Sequence, residues 1–489
     1  MANAEEMNRR SKRAAKWSFA TELIAKVISP ISQLILARLL APEAFGMVAT
    51  VTMVVNFADM FSDAGFQKYL VQKEFSSDSE LRKNANVAFW TNFCVSVALW
   101  IAIAVFRDPV SSFFGNPSLG IPLAIACLSL PLTSFSSVQR ALFVRGLDFK
   151  SMMPVRLGMS LITFFVTVSL ALLGFDYWSL IAGTLAGNAF NAIALTIKSD
   201  WKPRLFYSAD ILKAMFSFSS WTLLESFSVW LSVWAGTFIV GNVLGSGDLG
   251  LYKTPVTFVS GCFAIVTNAT TPILFSSLSR LQDDKVEFLS YFYRFQFLVG
   301  LVLLPLSLGI FVFREPLVLL LLGDQWTDAA MMFGLYGLLQ GPMVVFSYYC
   351  SEMYRALGKP RVSTFVQILF MLFMVPALYW AATNGFEAVV CVDAVTRMFL
   401  IIVNQVVAFF VVGVSFISML KSMKEPIIAT AIMGAFSLIT SGWACLNYFN
   451  TAVDIVCCIL VYAAALLAFA KTRKILFGFI RDPKSVKFG

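Results

Sequence analysis

The 489-residue sequence contains no histidine. That removes the commonest proton shuttle and metal ligand, so any ion coupling must fall to carboxylates. Charge is scarce too: Asp, Glu, Lys and Arg make up 13% of the chain, against about 25% in ordinary soluble domains. All eight cysteines (Cys94, Cys127, Cys262, Cys350, Cys391, Cys445, Cys457 and Cys458) fall in apolar runs. With no C-x-x-C pair and no loop framework, they argue against both disulfides and zinc and read as small core residues. The sequence also lacks a Walker-type G-x-x-x-x-G-K, a nucleophile elbow, an H-E-x-x-H and an acidic metal cluster in a loop. An ATP-driven pump on this chain alone is thereby excluded; neither an enzyme nor a bound cofactor or metal is expected.

What fills the chain instead is hydrocarbon, with 58% hydrophobic residues and a mean hydropathy of +0.78. A membrane span needs roughly 20 apolar residues, and the chain reads as an all-α polytopic membrane protein of about fourteen transmembrane helices with no sizeable soluble domain. Residues 1–16 form a polar, basic N-terminus. The apolar run after it is too long and too charged for a cleavable signal, so the first helix is expected to stay attached. Apolar runs bounded by Gly, Pro and charge clusters place six spans near 17–40, 44–65, 85–106, 121–139, 151–173 and 177–197. After a polar link at 198–212, six more fall near 213–243, 251–277, 291–313, 329–351, 362–383 and 387–411. Two extra helices occupy 412–470, near 425–446 and 452–470, before a basic tail at 471–489. The expected plan is therefore two pseudo-symmetric six-helix bundles, 17–197 and 213–411, around a central cavity.

Positive residues near span ends are retained in the cytoplasm, so the loops report orientation. With the N-terminus inside, 29 of the 37 Lys and Arg residues fall in cytoplasmic segments and three, Arg107, Lys253 and Arg314, on the opposite side. Both termini are thus expected in the cytoplasm, in the plasma membrane. The same bias accounts for the net charge of +9 without a nucleic-acid partner. A short repeat supports the six-plus-six plan: Pro42-Glu43-Ala44-Phe45-Gly46 after the first span is echoed 204 residues later by Ser246-Gly247-Asp248-Leu249-Gly250. Both are expected to be tight outside turns. Repeats of the same orientation imply bundles related by an axis along the membrane normal.

Residues three, four, seven and eleven apart share a helix face. On the first span Glu22, Lys26, Ser29 and Gln33 form one stripe, with Arg38 off it near the outer end; on the second, Thr52, Asn56, Asp59 and Asp63 align. The second half repeats this with Ser217, Glu225, Ser228 and Ser232 on the seventh span and Thr257, Ser260, Asn268 and Thr271 on the eighth. Intramembrane charges are costly and mark functional paths. The bland alternative is that Glu22 and Lys26 neutralise one another and that the amides and hydroxyls join neighbouring helices. Recurrence on four equivalent helices favours a water-filled cavity. Elsewhere, Arg156, Arg294 and Glu352 are near enough to span ends to snorkel, and Asp393, Arg397 and Asn404 form a stripe on the twelfth span whose charges are expected to pair locally.

Several stretches carry a resemblance. Leu36-Ala-Arg-Leu-Leu-Ala-Pro-Glu-Ala-Phe-Gly46, then Asp63-Ala-Gly65 and Val71-Gln72, resemble the opening of the polysaccharide-transporter (Wzx-like) branch of the multidrug/oligosaccharidyl-lipid/polysaccharide flippase superfamily. Gln139-Arg-Ala-Leu-Phe-Val-Arg-Gly-Leu-Asp-Phe-Lys150, Leu322-Gly-Asp-Gln-Trp326 and Tyr354-Arg-Ala-Leu-Gly-Lys-Pro360 are similar to the same branch. The resemblance implies a V-shaped pair of bundles working by alternating access, with spans one, two, seven and eight lining the lumen. It also implies a substrate, undecaprenyl-pyrophosphate-linked oligosaccharide repeat units crossing the bacterial inner membrane for O-antigen, exopolysaccharide or capsule assembly. On that reading Lys26 and Arg38 attract the pyrophosphate, while Glu22, Asn56, Ser228 and Asn268 bind substrate. Asp59, Asp63 and Glu225 are the candidates for coupling to a cation, H+ or Na+. The alternative within the superfamily is a multidrug/cation antiporter, which would favour an acid-dominated pocket. A membrane-embedded polymerase or scaffold would need a large arginine-bearing outside loop, which the sequence lacks.

Overall fold

The computed structural model describes residues 31–63, 65–444, 448–469 and 473. Within them the chain is helical, with no strand, and twelve helices are long and apolar enough to cross a membrane; a thirteenth crossing is a bent pair. Each expected span from the second to the fourteenth coincides with one of these. The first, near 17–40, lies mostly outside the described residues, and only its end at 31–39 is seen as helix. The helices fall into two compact units, residues 1–250 and 251–489.

The first unit begins with α1 (Pro42–Asp63), a seven-residue α2 (Phe66–Gln72) and α3 (Asp78–Val105). Pro42 suits the first helical position, where its missing N–H is not required. Gly65, at φ +79°, makes the reversal between α1 and α2. Ser77 and Glu80 form a reciprocal cap on α3: the Ser77 hydroxyl accepts from the Glu80 N–H at 3.2 Å, and the Glu80 carboxylate accepts from the Ser76 N–H at 2.8 Å. Next come α4 (Arg107–Phe113), α5 (Gly120–Ala126), α6 (Ser129–Arg145), α7 (Phe149–Leu172), α8 (Tyr177–Lys198) and α9 (Ala209–Val243). The helices α7 and α8 pack most closely because Gly183 and Gly187, four apart, sit directly against the hydroxyls of Thr167 and Thr163. Small residues at that spacing let backbones approach where lipid offers no hydrophobic drive.

The link after α8 is fastened to α3. The Trp90 indole donates to the Arg204 carbonyl at 2.9 Å, the Arg204 N–H donates to the Asn86 side chain at 3.0 Å, and Lys83 lies over the Phe206 ring. Lys202 caps the end of α8 through the carbonyls of Thr196 and Ile197. A polar stretch read as a linker is thus an ordered strap.

The helix α10 (Ser246–Arg280) starts at the end of the first unit; at 35 residues it extends about 52 Å, well past a 30 Å hydrocarbon core. The second unit continues with α11 (Lys285–Val312), α12 (Arg314–Leu321), α13 (Ala330–Met343), α14 (Tyr349–Ala356), α15 (Pro360–Ala382), α16 (Phe386–Val412), α17 (Phe416–Ser422), α18 (Lys424–Ala444) and α19 (Tyr448–Ala468). Between α13 and α14 the expected single span passes through a π-helical turn, Val344–Tyr348, immediately after Pro342. Proline removes a ladder donor, and a wide turn absorbs the misfit.

Three expectations need correction. The pentapeptides at 42–46 and 246–250 are not tight turns but the first turns of α1 and α10; the reversal before α10 is made by Gly245 at φ +89°. Glu352 does not snorkel: it is 4% exposed, and Arg355 holds its carboxylate at 2.8 Å. The segment before the thirteenth span is no loop, since α17 lies at 66° to α18 across a break at Met423. A stronger repeat than the pentapeptides also becomes visible. Phe106-Arg107-Asp108-Pro109 and Phe313-Arg314-Glu315-Pro316, 207 residues apart, each end a 28-residue helix and open a short one. In both, the Phe has nearly the same backbone angles, φ −97° and −95°.

Candidate functional site

In an apolar helix the polar residues that do not reach a span end must find partners within the protein. On α1 those residues are Thr52, Asn56 and Asp59, and they open onto a cavity of about 220 Å³ inside the first unit. Its other polar walls come from Ser129 and Thr133, near the start of α6, and from Thr184 and Asn188 on α8. Val48, Val51, Val55, Ala126, Leu180, Ile181 and Leu185 supply the apolar remainder.

Asp59 is the cavity's one charged group. Its Oδ1 accepts from Thr133 Oγ1 at 2.8 Å and from Ser62 Oγ at 3.4 Å. Asn56 donates to the Thr52 carbonyl at 2.7 Å, which fixes its amide against its own helix and leaves the amide oxygen available. The Ser129 hydroxyl is buried without a partner among the described residues. The lining therefore presents one carboxylate, two amides and several hydroxyls in a wall of aliphatic side chains, a donor and acceptor set suited to hydroxyl-rich or cationic ligands.

The sequence-derived candidates are distributed as follows. Asn56 and Asp59 meet in the cavity. Ser228 lies exposed on α9, its carbonyl accepting from the Ser232 hydroxyl at 2.8 Å. That helix packs on α1 through Trp230, whose indole donates to the Met53 carbonyl at 3.2 Å and whose ring lies 4.8 Å from Phe57. Arg38 is exposed on the helix at 31–39. Asn268, exposed on α10, belongs to the second unit. Glu22 and Lys26 lie outside the described residues. Asp63 ends α1 and Glu225 falls within α9, and the side chains of both are likewise outside the described part.

Sequence reasoning missed Ser129, Thr133, Thr184 and Asn188. Threonine and serine are common in membrane helices and carry no charge to draw notice. The signal that could have found them is spacing: Ser129 with Thr133, and Thr184 with Asn188, are each one helical turn apart.

The second unit holds a different polar centre. Arg397 and Asp393, one turn apart on α16, pair at 2.6 Å, as the stripe on the twelfth span implies. Both are largely buried, and the pair is enclosed: Tyr252 donates to the carboxylate at 3.1 Å, the guanidinium lies 3.7 Å from the Tyr336 ring centre, and Gln340 accepts from it at 3.3 Å. Further along the same stripe, Asn404 donates to Ser347 Oγ at 2.7 Å. Each of the two charges has its counterpart, and the contacts join α10, α13 and α16.

Against known proteins, residues 35–331 match the family model described as polysaccharide biosynthesis protein. The chain is 26% identical over 406 residues to the succinoglycan biosynthesis transport protein ExoT of Rhizobium meliloti, covering 82% of this chain and 80% of that one. It is 23% identical to the lipopolysaccharide biosynthesis protein WzxC of Escherichia coli, covering 64% of this chain and 63% of the relative. Among solved structures, a lipid II flippase MurJ in an inward closed conformation superposes with a TM-score of 0.73 at 14% identity, over 96% of this chain and all of that one. An inward-facing multidrug resistance MATE transporter reaches 0.56 at 14% identity, over 81% and 96%. At such identities the structural likeness establishes the fold alone.

Proposed function

Because the chain belongs to the polysaccharide biosynthesis protein family, whose model spans residues 35–331, we propose that this multi-pass membrane protein is a flippase for lipid-linked oligosaccharides. Its cargo is an undecaprenyl-pyrophosphate-linked repeat unit destined for O-antigen, exopolysaccharide or capsule, carried from the cytoplasmic to the periplasmic leaflet of the inner membrane by alternating access. Both termini lie in the cytoplasm, in keeping with the bias of Lys and Arg. The protein performs no covalent chemistry on the glycan.

The observation that carries this reading is the amide- and hydroxyl-lined cavity around Asp59. A sugar crossing hydrocarbon must exchange its water shell for equivalent hydrogen bonds, because unsatisfied polar groups in lipid are costly. Asn56, Thr184 and Asn188 offer such bonds, and Ser228 and, in the second unit, Asn268 are further candidates for contact with the substrate. A pyrophosphate needs fixed positive charge on its route, the role assigned to Lys26 and Arg38, with Glu22 beside Lys26 on the same stripe. Asp59 takes a coupling cation, H+ or Na+, and Asp63 and Glu225 serve the same exchange.

The relatives named for succinoglycan and lipopolysaccharide biosynthesis support a glycan cargo over a drug. The test is complementation of a flippase-deficient strain together with the location of its undecaprenyl-linked repeat units. Wild-type protein should restore long polymer and expose repeat units to the periplasm. Dye efflux without any change in glycan would instead identify a multidrug antiporter.

A further inference from the structure

The helices α18 and α19 lie beyond the two sets of six spans, and nothing proposed above uses them. They carry Asp454, 1% exposed within their hairpin. Its Oδ1 accepts from Thr440 Oγ1 on α18 at 2.7 Å. Its Oδ2 has no partner among the described residues, and the hydroxyl of Ser437, one turn before Thr440 and 2% exposed, has only the weakly polar thiol of Cys458 beside it. Cys458, one turn after Asp454, and Tyr462, a turn further, continue the same face. The Tyr462 hydroxyl is committed to the Leu301 carbonyl of α11 at 2.7 Å, which leaves it unable to donate to the carboxylate. Among the described residues no Lys or Arg pairs with Asp454; the charges of the adjacent α12, Arg314 and Glu315, pair with each other at 3.4 Å.

A buried carboxylate without a counter-charge is rare, and so is a buried hydroxyl whose one neighbour is a thiol. Here they occur together, in apolar surroundings, on two helices that face one another. Buried polar groups left in this condition call for a bound water or ion, and oxygen donors around one negative charge select a hard cation. From this geometry we propose that the α18–α19 hairpin binds one alkali cation of sodium size, held by Asp454 Oδ2, Ser437 Oγ and the lone pairs of Thr440 Oγ1. The cation neutralises Asp454 and fastens α19 to α18, and so to α11, on which α18 packs with Gly434 against Leu308. The site is separate from the cavity around Asp59, which lies in the first unit.

The experiment follows thermal unfolding of the purified full-length protein in lipid nanodiscs. Sodium chloride is titrated against N-methyl-D-glucamine chloride at constant ionic strength. Wild type should show a saturable rise in unfolding temperature with sodium. Asp454→Asn should abolish the rise, and Ser437→Ala should shift the half-saturating concentration upward by about tenfold or more, as loss of metal-site partners does. If Asp454→Asn does not yield folded protein, Ser437→Ala and Thr440→Val carry the test. Absence of a sodium response in wild type, or an equal response in wild type and the variants, overturns the proposal. Because the readout is cation binding, it is independent of whether the cargo is a glycan.

Discussion

The backbone of Gly46 lies directly against the carbonyl of Ser246, so closely that a Cβ at position 46 would collide with that oxygen. The approach is reciprocal: a Cβ at Gly250 would collide with the carbonyl of Pro42. The two glycines and the two helix-opening residues they touch are related by the same 204-residue offset, so the echoed pentapeptides pack on one another as a self-complementary pair. Gly46→Ala and Gly250→Ala should each cost about 1–3 kcal/mol by overpacking against backbone that cannot rotate away. Gly247→Ala, where a Cβ would meet nothing within 4 Å, should be tolerated. Thermal unfolding of the three variants checks this, and equal loss in all three would refute it.

The Thr133 hydroxyl, 2.8 Å from Asp59, orients the one charge in the cavity. Hydrogen bonds to charged groups contribute about 1.5–3 kcal/mol. Thr133→Val should therefore reduce flipping roughly tenfold or more while leaving protein levels near normal, since valine matches threonine in shape. Asp59→Ala should abolish complementation. Polymer yield per unit of membrane-embedded protein is the measurement; full activity of both variants would remove the cavity from the transport path.

The spans were legible because hydrophobic length is a one-dimensional signal, and the charge bias between loops needs only counting. The stripe Thr52, Asn56 and Asp59 was legible because helical period is fixed by geometry. Thr133 and Asn188 were not, since which faces meet across helices depends on packing that no period encodes. The Phe-Arg-acid-Pro repeat was present in the letters yet overlooked. Its weight came from seeing both copies end a helix of one length and begin another.

The buried pair of Asp393 and Arg397 makes an asymmetric prediction. Removing one partner strands the other charge, at a cost of about 3–5 kcal/mol, whereas replacing both can be neutral or better. Arg397→Met should thus be poorly recovered from membranes, and Asp393→Leu combined with Arg397→Met should be recovered better. Restored flipping in the double variant would identify the pair as purely structural. If the double variant is well folded but inactive, the pair takes part in transport.

Orientation can be tested at Asp108 and Glu315, which follow the repeated Phe-Arg and whose side chains are 75% and 66% exposed. In a cysteine-free background, Asp108→Cys and Glu315→Cys should react with a membrane-impermeant maleimide in intact spheroplasts. Arg82→Cys, on the Lys- and Arg-rich side, should react only after the membrane is opened. The reverse pattern would invert the assignment of both termini.

Arg145 sits in one of the stretches that carry the resemblance, and a basic residue there invites a role in binding phosphate. Its contacts argue otherwise. The guanidinium donates to the carbonyls of Leu70, Val71 and Lys73 at 2.8, 3.3 and 2.6 Å, and it lies 4.8 Å from the Phe75 ring. It thus satisfies the open carbonyls at the C-terminus of α2, where a cation is also favoured by the helix dipole. The neighbouring Asp148 caps the start of α7 by accepting from the Ser151 N–H at 3.1 Å. Trp326 and Tyr354, from the other resembling stretches, are fully buried. These residues of the shared motifs therefore read as folding devices. Arg145→Lys should lose about 1.5–3 kcal/mol, because an ammonium cannot span three carbonyls as the planar fork does. Its flipping per folded molecule should stay unchanged. A drop in activity with unfolding temperature preserved would return Arg145 to the substrate path.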